Sequence, residues 1–246
     1  MNNPFSLSGK TILVTGASAG IGRGIAIACA GMGAQVILTA RNTARLQETL
    51  SALEGEGHSY IAADLTVAAQ RTALVAQLPT LHGVVHCAGV GSRVPCKMLT
   101  QEDLDYVMKP NAEAPMLLQA ELLSEKKIAK QASIVFVASA AATMPSAGNA
   151  AYSASKAAII AYAKCLAQEL APRQIRVNSI SPAMVWTDLA LVGATAEQLT
   201  EAEKQYPLKR YGQPQDIAHL TVYMLSDASG WMTGSDVQIT GGTQML

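Results

Sequence analysis

Val14-Thr-Gly-Ala-Ser-Ala-Gly-Ile-Gly-Arg-Gly-Ile-Ala26, in one-letter form VTGASAGIGRGIA, decides how this chain is read. It completes a short apolar run, TILVT (Thr11–Thr15), and leads into a helical stretch that reaches Met32. Gly16, Gly20 and Gly22 fall between strand and helix. Glycine permits a tight turn there and lets the backbone approach a pyrophosphate without interference from a Cβ. The helix N-terminus then offers unpaired N–H groups and partial positive charge to that anion. Any strand-to-helix turn can use glycine, so the cluster alone says little. Its position after the first strand of the chain points to a dinucleotide site. The spacing is TGxxxGxG, not GxGxxG.

Outward from this turn, strand and helix alternate to the end. QVILTA (Gln35–Ala40) predicts a second strand, followed by a polar helix, TARLQETLSAL. SYIAADL is the third strand, with a helix near Val67–Gln77, and GVVHCAG the fourth. A long helical region is expected over Gln101–Lys127, then a fifth strand at Ser133–Ser139 (SIVFVAS). The segment Ala150–Leu170 reads as a helix, IRVNSIS as the sixth strand, Thr187–Lys209 as a polar stretch, Pro214–Leu225 as a helix and DVQITGG as the closing strand. The strands are nearly continuous in apolar residues, the pattern of strands buried on both faces of a parallel sheet. The expected fold is therefore α/β, a doubly wound parallel sheet of Rossmann type with right-handed crossovers. No linker, repeat or low-complexity segment interrupts it, so residues 1–246 read as a single domain.

Composition narrows the function. Half of the 246 residues are hydrophobic, 15% are charged, and the charges balance to zero. That balance argues against a nucleic-acid binder or an acidic tail. Cys29, Cys87, Cys96 and Cys165 form no CxxC pair and read as small buried hydrophobes of a reducing compartment. His58, His82, His86 and His219 are scattered, and no zinc spacing appears, so no metal is expected. MNNPFSLSGK does not read as a signal peptide. No run approaches the roughly 18 apolar residues that a membrane helix needs. A soluble, cytoplasmic protein with no membrane partner is expected.

The identity of the dinucleotide turns on the end of the second strand. An NAD site usually places a carboxylate there for the ribose hydroxyls. Here the chain reads Thr39-Ala40-Arg41-Asn42. Arg41 can pair a 2′-phosphate through two hydrogen bonds, which favours NADP(H); a solvated arginine at a strand end is the alternative. Asp64 would either accept from the adenine amino group or cap the next helix.

Tyr152 and Lys156 are four apart and share a helical face. A lysine one turn along stabilises the phenolate, which suits a tyrosine that must hand a proton to a carbonyl and take it back. Ser139 ends the fifth strand, at the carboxyl edge where open α/β sheets bind ligands, and can steady the same carbonyl oxygen. A YxxxK pair alone would read as a surface contact; beside Ser139 and the glycine cluster it reads as an active-site wall.

TGxxxGxG at Thr15–Gly22, Ser139 and Tyr152-Ser-Ala-Ser-Lys156 together resemble the short-chain dehydrogenase/reductase family over nearly the whole chain. The resemblance implies a hydride transfer between nicotinamide and a ketone or secondary alcohol, with Ser139, Tyr152, Lys156 and Asn111 as catalytic residues. Lys156 would also grip the nicotinamide ribose. Asn111, in KPNAEAP, falls where the family has a helix-kinking Asn whose backbone holds a relay water, and Pro110 would reinforce the kink. Cofactor contacts are implied at Gly16, Ser18, Gly20, Ile21, Gly22, Arg41, Asp64, Leu65, Ala88, Gly89, Tyr152, Lys156, Pro182, Val185 and Thr187. Two departures stand out: Cys87 replaces the Asn of Asn-Ala-Gly, which weakens the expected hydrogen bonding of that turn, and Ala183 replaces the Gly of Pro-Gly. Resemblance also implies a homotetramer, for which the small residues of the Ala157–Ala171 helix suit close packing.

Within the family the resemblance is greatest to 3-oxoacyl-[acyl-carrier-protein] reductases of fatty acid biosynthesis. Lys126, Lys127, Lys130 and Arg173 would dock an acidic carrier or simply solvate helix ends. Met144, Met184, Trp186, Leu189 and Tyr206 would shape the pocket, and Val185–Tyr206 would form a mobile lid. The substrate is thus a small-molecule or acyl-carrier-linked ketone. A reductase or dehydrogenase of a sugar, polyol or other small ketone is the close alternative. A dinucleotide-sensing regulator is a distant one, because such a protein tends to lose a catalytic residue.

Overall fold

Seven apolar runs form one parallel sheet in the computed structural model, which describes residues 3–191 and 195–243. The strands are β1 (Thr11–Thr15), β2 (Gln35–Ala40), β3 (Ser59–Ala62), β4 (Leu81–His86), β5 (Ile128–Val137), β6 (Arg176–Pro182) and β7 (Asp236–Ile239). Their order is β3-β2-β1-β4-β5-β6-β7, so the chain winds outward from β1 to β3 and then crosses over to β4. The strand order reverses between β1 and β4, and the crevice beyond their carboxyl ends is where a doubly wound sheet takes its ligand. Right-handed crossovers place helices on both faces: α1 (Gly20–Gly31), α2 (Thr43–Ser51), α3 (Ala68–Gln77), α4 (Gln101–Met108), α5 (Ala114–Ser124), α6 (Ala150–Leu170), α7 (Ala196–Glu203) and α8 (Pro214–Leu225).

Burial on both faces explains the apolar runs of the central strands β1, β2, β4 and β5. On one face Leu13, Val84, Ile134 and Phe136 pack with Leu118, Leu122, Ile159 and Leu166 of α5 and α6. On the other Val14, Val36, Leu38 and Val85 pack with Ile25, Ile217 and Val222 of α1 and α8.

Four expectations are corrected. β5 begins at Ile128 rather than Ser133 and ends at Val137 rather than Ser139. Its pairing with β4 shifts register between Leu81 and Gly83, and Gln131 takes a left-handed φ of 61° to absorb the extra residues. The long helix breaks into α4 and α5 around a π-helical turn at Lys109–Glu113, because Pro110 has no N–H to give the ladder. The polar stretch after Thr187 contains α7, started by a capping box between Thr195 and Gln198. The cysteines divide: Cys29 is buried, but Cys96 and Cys165 are exposed, contrary to the expectation for all four. No helix among the described residues is long and apolar enough to cross a membrane.

Candidate active site

The turn after β1 is built as an anion cradle. Gly16 has a φ of 66°, and a Cβ there would lie 2.8 Å from the Ala88 backbone. A Cβ on Gly22 would collide with the Gly16 carbonyl. Any side chain at either position would therefore push the turn open. α1 starts at Ala19 with no side-chain cap and no acidic residue in its first turn, so its N–H groups are left for an external anion. This glycine-lined cradle at an uncapped helix start fits a dinucleotide's pyrophosphate. Ser18 and Ile21 lie in the same turn, and Gly20 closes against the Thr187 methyl.

Thr15, at the end of β1, accepts hydrogen bonds from the backbone N–H groups of Cys87 and Ala88, at 3.0 and 3.1 Å. The turn after β4 is thereby fixed by a neighbouring strand, and the Cys at position 87 does not leave it without support.

The catalytic candidates converge at the carboxyl ends of β4 and β5. Ser139 stands two residues beyond β5, where its Oγ accepts from the Ala141 N–H at 3.2 Å and its own proton is free to donate. Tyr152 and Lys156 lie on α6. The Lys156 ammonium is buried, donates to the Val137 carbonyl at 2.9 Å, and stands 5.9 Å from the centroid of the Tyr152 ring. The strand end thus anchors the lysine that faces the phenol.

Asn111 is 1% exposed and its side chain is saturated. Oδ1 accepts from Val90 N at 2.8 Å, and Nδ2 donates to Val90 O at 2.9 Å and to Ser155 Oγ at 3.1 Å. Ser155 Oγ in turn donates to the Tyr152 carbonyl at 2.7 Å. The Asn111 side chain is a clamp that ties the loop after β4 to the helix carrying Tyr152. Sequence reasoning missed Ser155 as the link, although its i+3 spacing from Tyr152 was the available signal. Gly89 sits under this clamp: a Cβ there would come 3.0 Å from Asn111 Oδ1 and 3.4 Å from Lys156 Nζ.

A cleft of about 170 Å³ opens over these groups. Ile21, Ser139, Tyr152, Pro182, Val185 and Thr187 line it as expected, together with Met184 and Leu189. Ser92, Arg93, Ser146 and Asn149 also line it, none of them anticipated. Arg41 and Asp64 lie elsewhere, at the ends of β2 and the segment after β3. Arg41 is exposed and makes no hydrogen bond or ion pair among the described residues. Asp64 is not a helix cap, since α3 follows Val67. Its carboxylate accepts from Thr66 N and Oγ1, and these bonds, with a smaller contribution from Arg41, hold it below the usual carboxylate range. Leu65 belongs to the core and offers a cofactor no side chain.

Met144 stands outside the cleft lining, while Trp186 and Tyr206 pack with Tyr211 into a small cap above it. The supposed lid is therefore partly an ordered cap; its residues 192–194 lie outside the described residues. Lys126, Lys127, Lys130 and Arg173 gather at the amino edge of β5, opposite this chain's own cleft. Lys127 donates to the Leu78 carbonyl at 2.6 Å and Arg173 to the Ile128 carbonyl at 2.6 Å, so these two brace chain ends.

A family model described as "Enoyl-(Acyl carrier protein) reductase" matches residues 16–244. L-xylulose reductase of Caenorhabditis elegans is 33% identical over 245 residues, covering 97% of both chains. A 3-oxoacyl-[acyl-carrier-protein] reductase of Rickettsia bellii is 31% identical, covering 98% of this chain and 100% of its own. A crystal structure from Agrobacterium tumefaciens, provisionally assigned as a 2-deoxy-d-gluconate 3-dehydrogenase and holding NADP, superposes with a TM-score of 0.88 at 28% identity over 98% of each chain. With the glycine cradle, Ser139, Tyr152 and Lys156 placed at one strand edge, the chain belongs to the short-chain dehydrogenase/reductase family of oxidoreductases.

Proposed function

We propose that this chain interconverts a ketone and a secondary alcohol with NADP(H). The observation that carries the reading is that Ser139 and Tyr152 line one cleft beside the glycine cradle, with the buried Lys156 ammonium 5.9 Å from the centroid of the phenol ring. A bound nicotinamide would supply or accept the hydride. In the reducing direction the Tyr152 phenol gives its proton to the carbonyl oxygen, and the Ser139 O–H donates to the same oxygen and fixes its position. Lys156, held by the Val137 carbonyl, faces the phenol and would grip the nicotinamide ribose. Asn111 holds the loop and α6 in register; a backbone-bound relay water at its π-helical turn would return the proton from solvent. Arg41, exposed at the end of β2 and in no ion pair among the described residues, supports NADP(H) over NAD(H).

For the substrate, a 3-oxoacyl thioester is supported by the likeness to the Rickettsia reductase. A small sugar or polyol ketone is supported by the likeness to the xylulose reductase and by the polar wall of Ser92, Ser146 and Asn149. A homotetramer fits the exposed Tyr106 and Leu117 of the α4–α5 face and the fully exposed Trp231.

The test follows the reduced-nicotinamide absorbance with NADPH and NADH against acetoacetyl thioesters, ketoses and diketones. Tyr152→Phe is expected to lower kcat by about 10²- to 10⁴-fold. Wild-type turnover by that variant refutes the assignment.

A further inference from the structure

Arg93 is the one charged side chain among the residues lining the cleft. It follows Gly89 and Gly91 in the loop after β4, and Val94 N donates to Gly148 O at 2.8 Å, tying this loop to the segment that carries Ser146 and Asn149. Arg93 therefore stands on the rim next to α6, beyond the Tyr152 side of the cleft, and not at the Gly16–Gly22 cradle that would hold a pyrophosphate. The cap of Trp186, Tyr206 and Tyr211 adjoins the same cleft, and the charge on Arg93 is near enough to act on the Tyr211 phenol.

The guanidinium has no internal partner. No hydrogen bond from it and no carboxylate within 4 Å of it occur among the described residues. Glu203, the carboxylate of the cap, holds Trp186 Nε1 at 2.8 Å and Tyr211 N at 3.2 Å through Oε2 and makes no ion pair with Arg93. An exposed cation at the mouth of a largely apolar cleft, with five planar donors and no ion pair among the described residues, is a receptor for an oxyanion.

We propose that Arg93 binds an anionic group on the substrate, a carboxylate or a phosphate monoester, so that the ketone reduced by this chain is an oxo acid or an oxo phosphate. This rests on the carbonyl-reductase reading of the same cleft and names its substrate class. The anion sits at the outer rim and the carbonyl at Ser139 and Tyr152, which orients the substrate end to end. Neutral ketones and thioesters lack that anchor.

The experiment compares each anionic ketone with its neutral counterpart: oxo acids of four to seven carbons against their methyl esters, and phosphorylated ketoses against the free ketoses. For wild type, kcat/KM is expected to favour the anionic member of at least one set by about 10- to 50-fold, an effect of one charge-assisted contact at a partly solvated site. The favoured set distinguishes carboxylate from phosphate. Arg93→Gln is expected to abolish the ratio and Arg93→Lys to retain part of it, with the loss in KM rather than kcat. NADPH fluorescence titration of Arg93→Gln is expected to give the wild-type Kd; an equal loss there assigns Arg93 to the cofactor and overturns the proposal. Equal use of anionic and neutral ketones by wild type, or an unchanged ratio in Arg93→Gln, also overturns it while leaving the reductase reading intact. If no carbonyl compound is reduced, the reductase reading fails. Arg93 is then judged by thermal shift with non-reducible hydroxy acids and inorganic phosphate: stabilisation that Arg93→Gln loses supports an oxyanion site, and no stabilisation overturns it.

Discussion

His86, directly before the Cys87–Gly89 turn, makes the stability of this protein depend on pH. It is 4% exposed at the end of β4, stacked on Phe136 with ring centroids 4.5 Å apart and planes 8° from parallel. Nε2 shares a 3.0 Å hydrogen bond with Gln119 Oε1. A carbonyl oxygen only accepts, so Nε2 carries the proton; His86 Nδ1 and Gln119 Nε2 are left without partners among the described residues. Burial lowers the imidazole from 6.5 to about 4, and the Gln119 contact opposes that only in part. Above pH 6.5 the ring is neutral whether the chain is folded or not, and stability is unaffected. As pH falls from 6.5 towards 4 the unfolded ring takes up a proton that the folded one refuses, so stability is lost across that window and levels off below it. At about 1.4 kcal/mol for each pH unit of that gap the full loss is about 3 kcal/mol, of which about 2 is reached at pH 5. The assay is urea denaturation of wild type and of the double variant His86→Leu/Gln119→Met at half-unit steps from pH 4.5 to 7.5. Replacing both partners avoids orphaning one of them. The double variant is expected to lose the one-proton slope. The same slope in both proteins refutes the assignment to His86.

Arg41→Ala is expected to raise KM for NADPH by about 10- to 100-fold while changing KM for NADH little, because only the 2′-phosphate loses a bidentate partner; parallel kinetics with the two cofactors check it, and equal effects on both would remove Arg41 from the phosphate site. Asn111→Leu orphans Val90 N and O and frees Ser155 Oγ, so it is expected to cost about 2–4 kcal/mol in chemical denaturation. It is also expected to lower kcat as the loop after β4 separates from α6; a variant of wild-type stability would show that the clamp is not needed.

How much was legible depends on whether a residue's role is local. Val36–Leu38, Val84–Val85 and Ile134–Val137 are apolar because both sheet faces are covered, and that pattern survives in the sequence. β5 was mislocated because its first residues, Ile128-Ala-Lys-Gln-Ala, are a bulged entry whose pairing is dictated by β4, with no periodicity of its own. α7 was missed because it buries one side chain, Leu199, and shows no apolar stripe, although its Thr195–Gln198 capping box was present. In the site, the glycine cradle and the Tyr152–Lys156 pair are fixed by spacing within one element, so they could be read directly. Arg93, Ser146 and Asn149 come from two loops joined by the Val94–Gly148 hydrogen bond, a tertiary contact with no trace in either segment.

The departure at Cys87 shows why a turn can change its residue without losing its geometry. The shape of that turn is held by Thr15, which is 1% exposed and takes two of its amides, so the side chain at position 87 is released from hydrogen bonding. A thiol is a weak donor and acceptor and would have been a poor substitute had the turn depended on it. A thiol is also a nucleophile once it ionises. Burial pushes the Cys87 thiol up to about 12, against the opposing pull of the Lys156 charge. At neutral pH it therefore stays protonated, half-buried against the core cluster that contains Val14 and Ala17. The feature that makes Cys tolerable there is the same low-dielectric packing under the loop that holds Lys156 against the Val137 carbonyl.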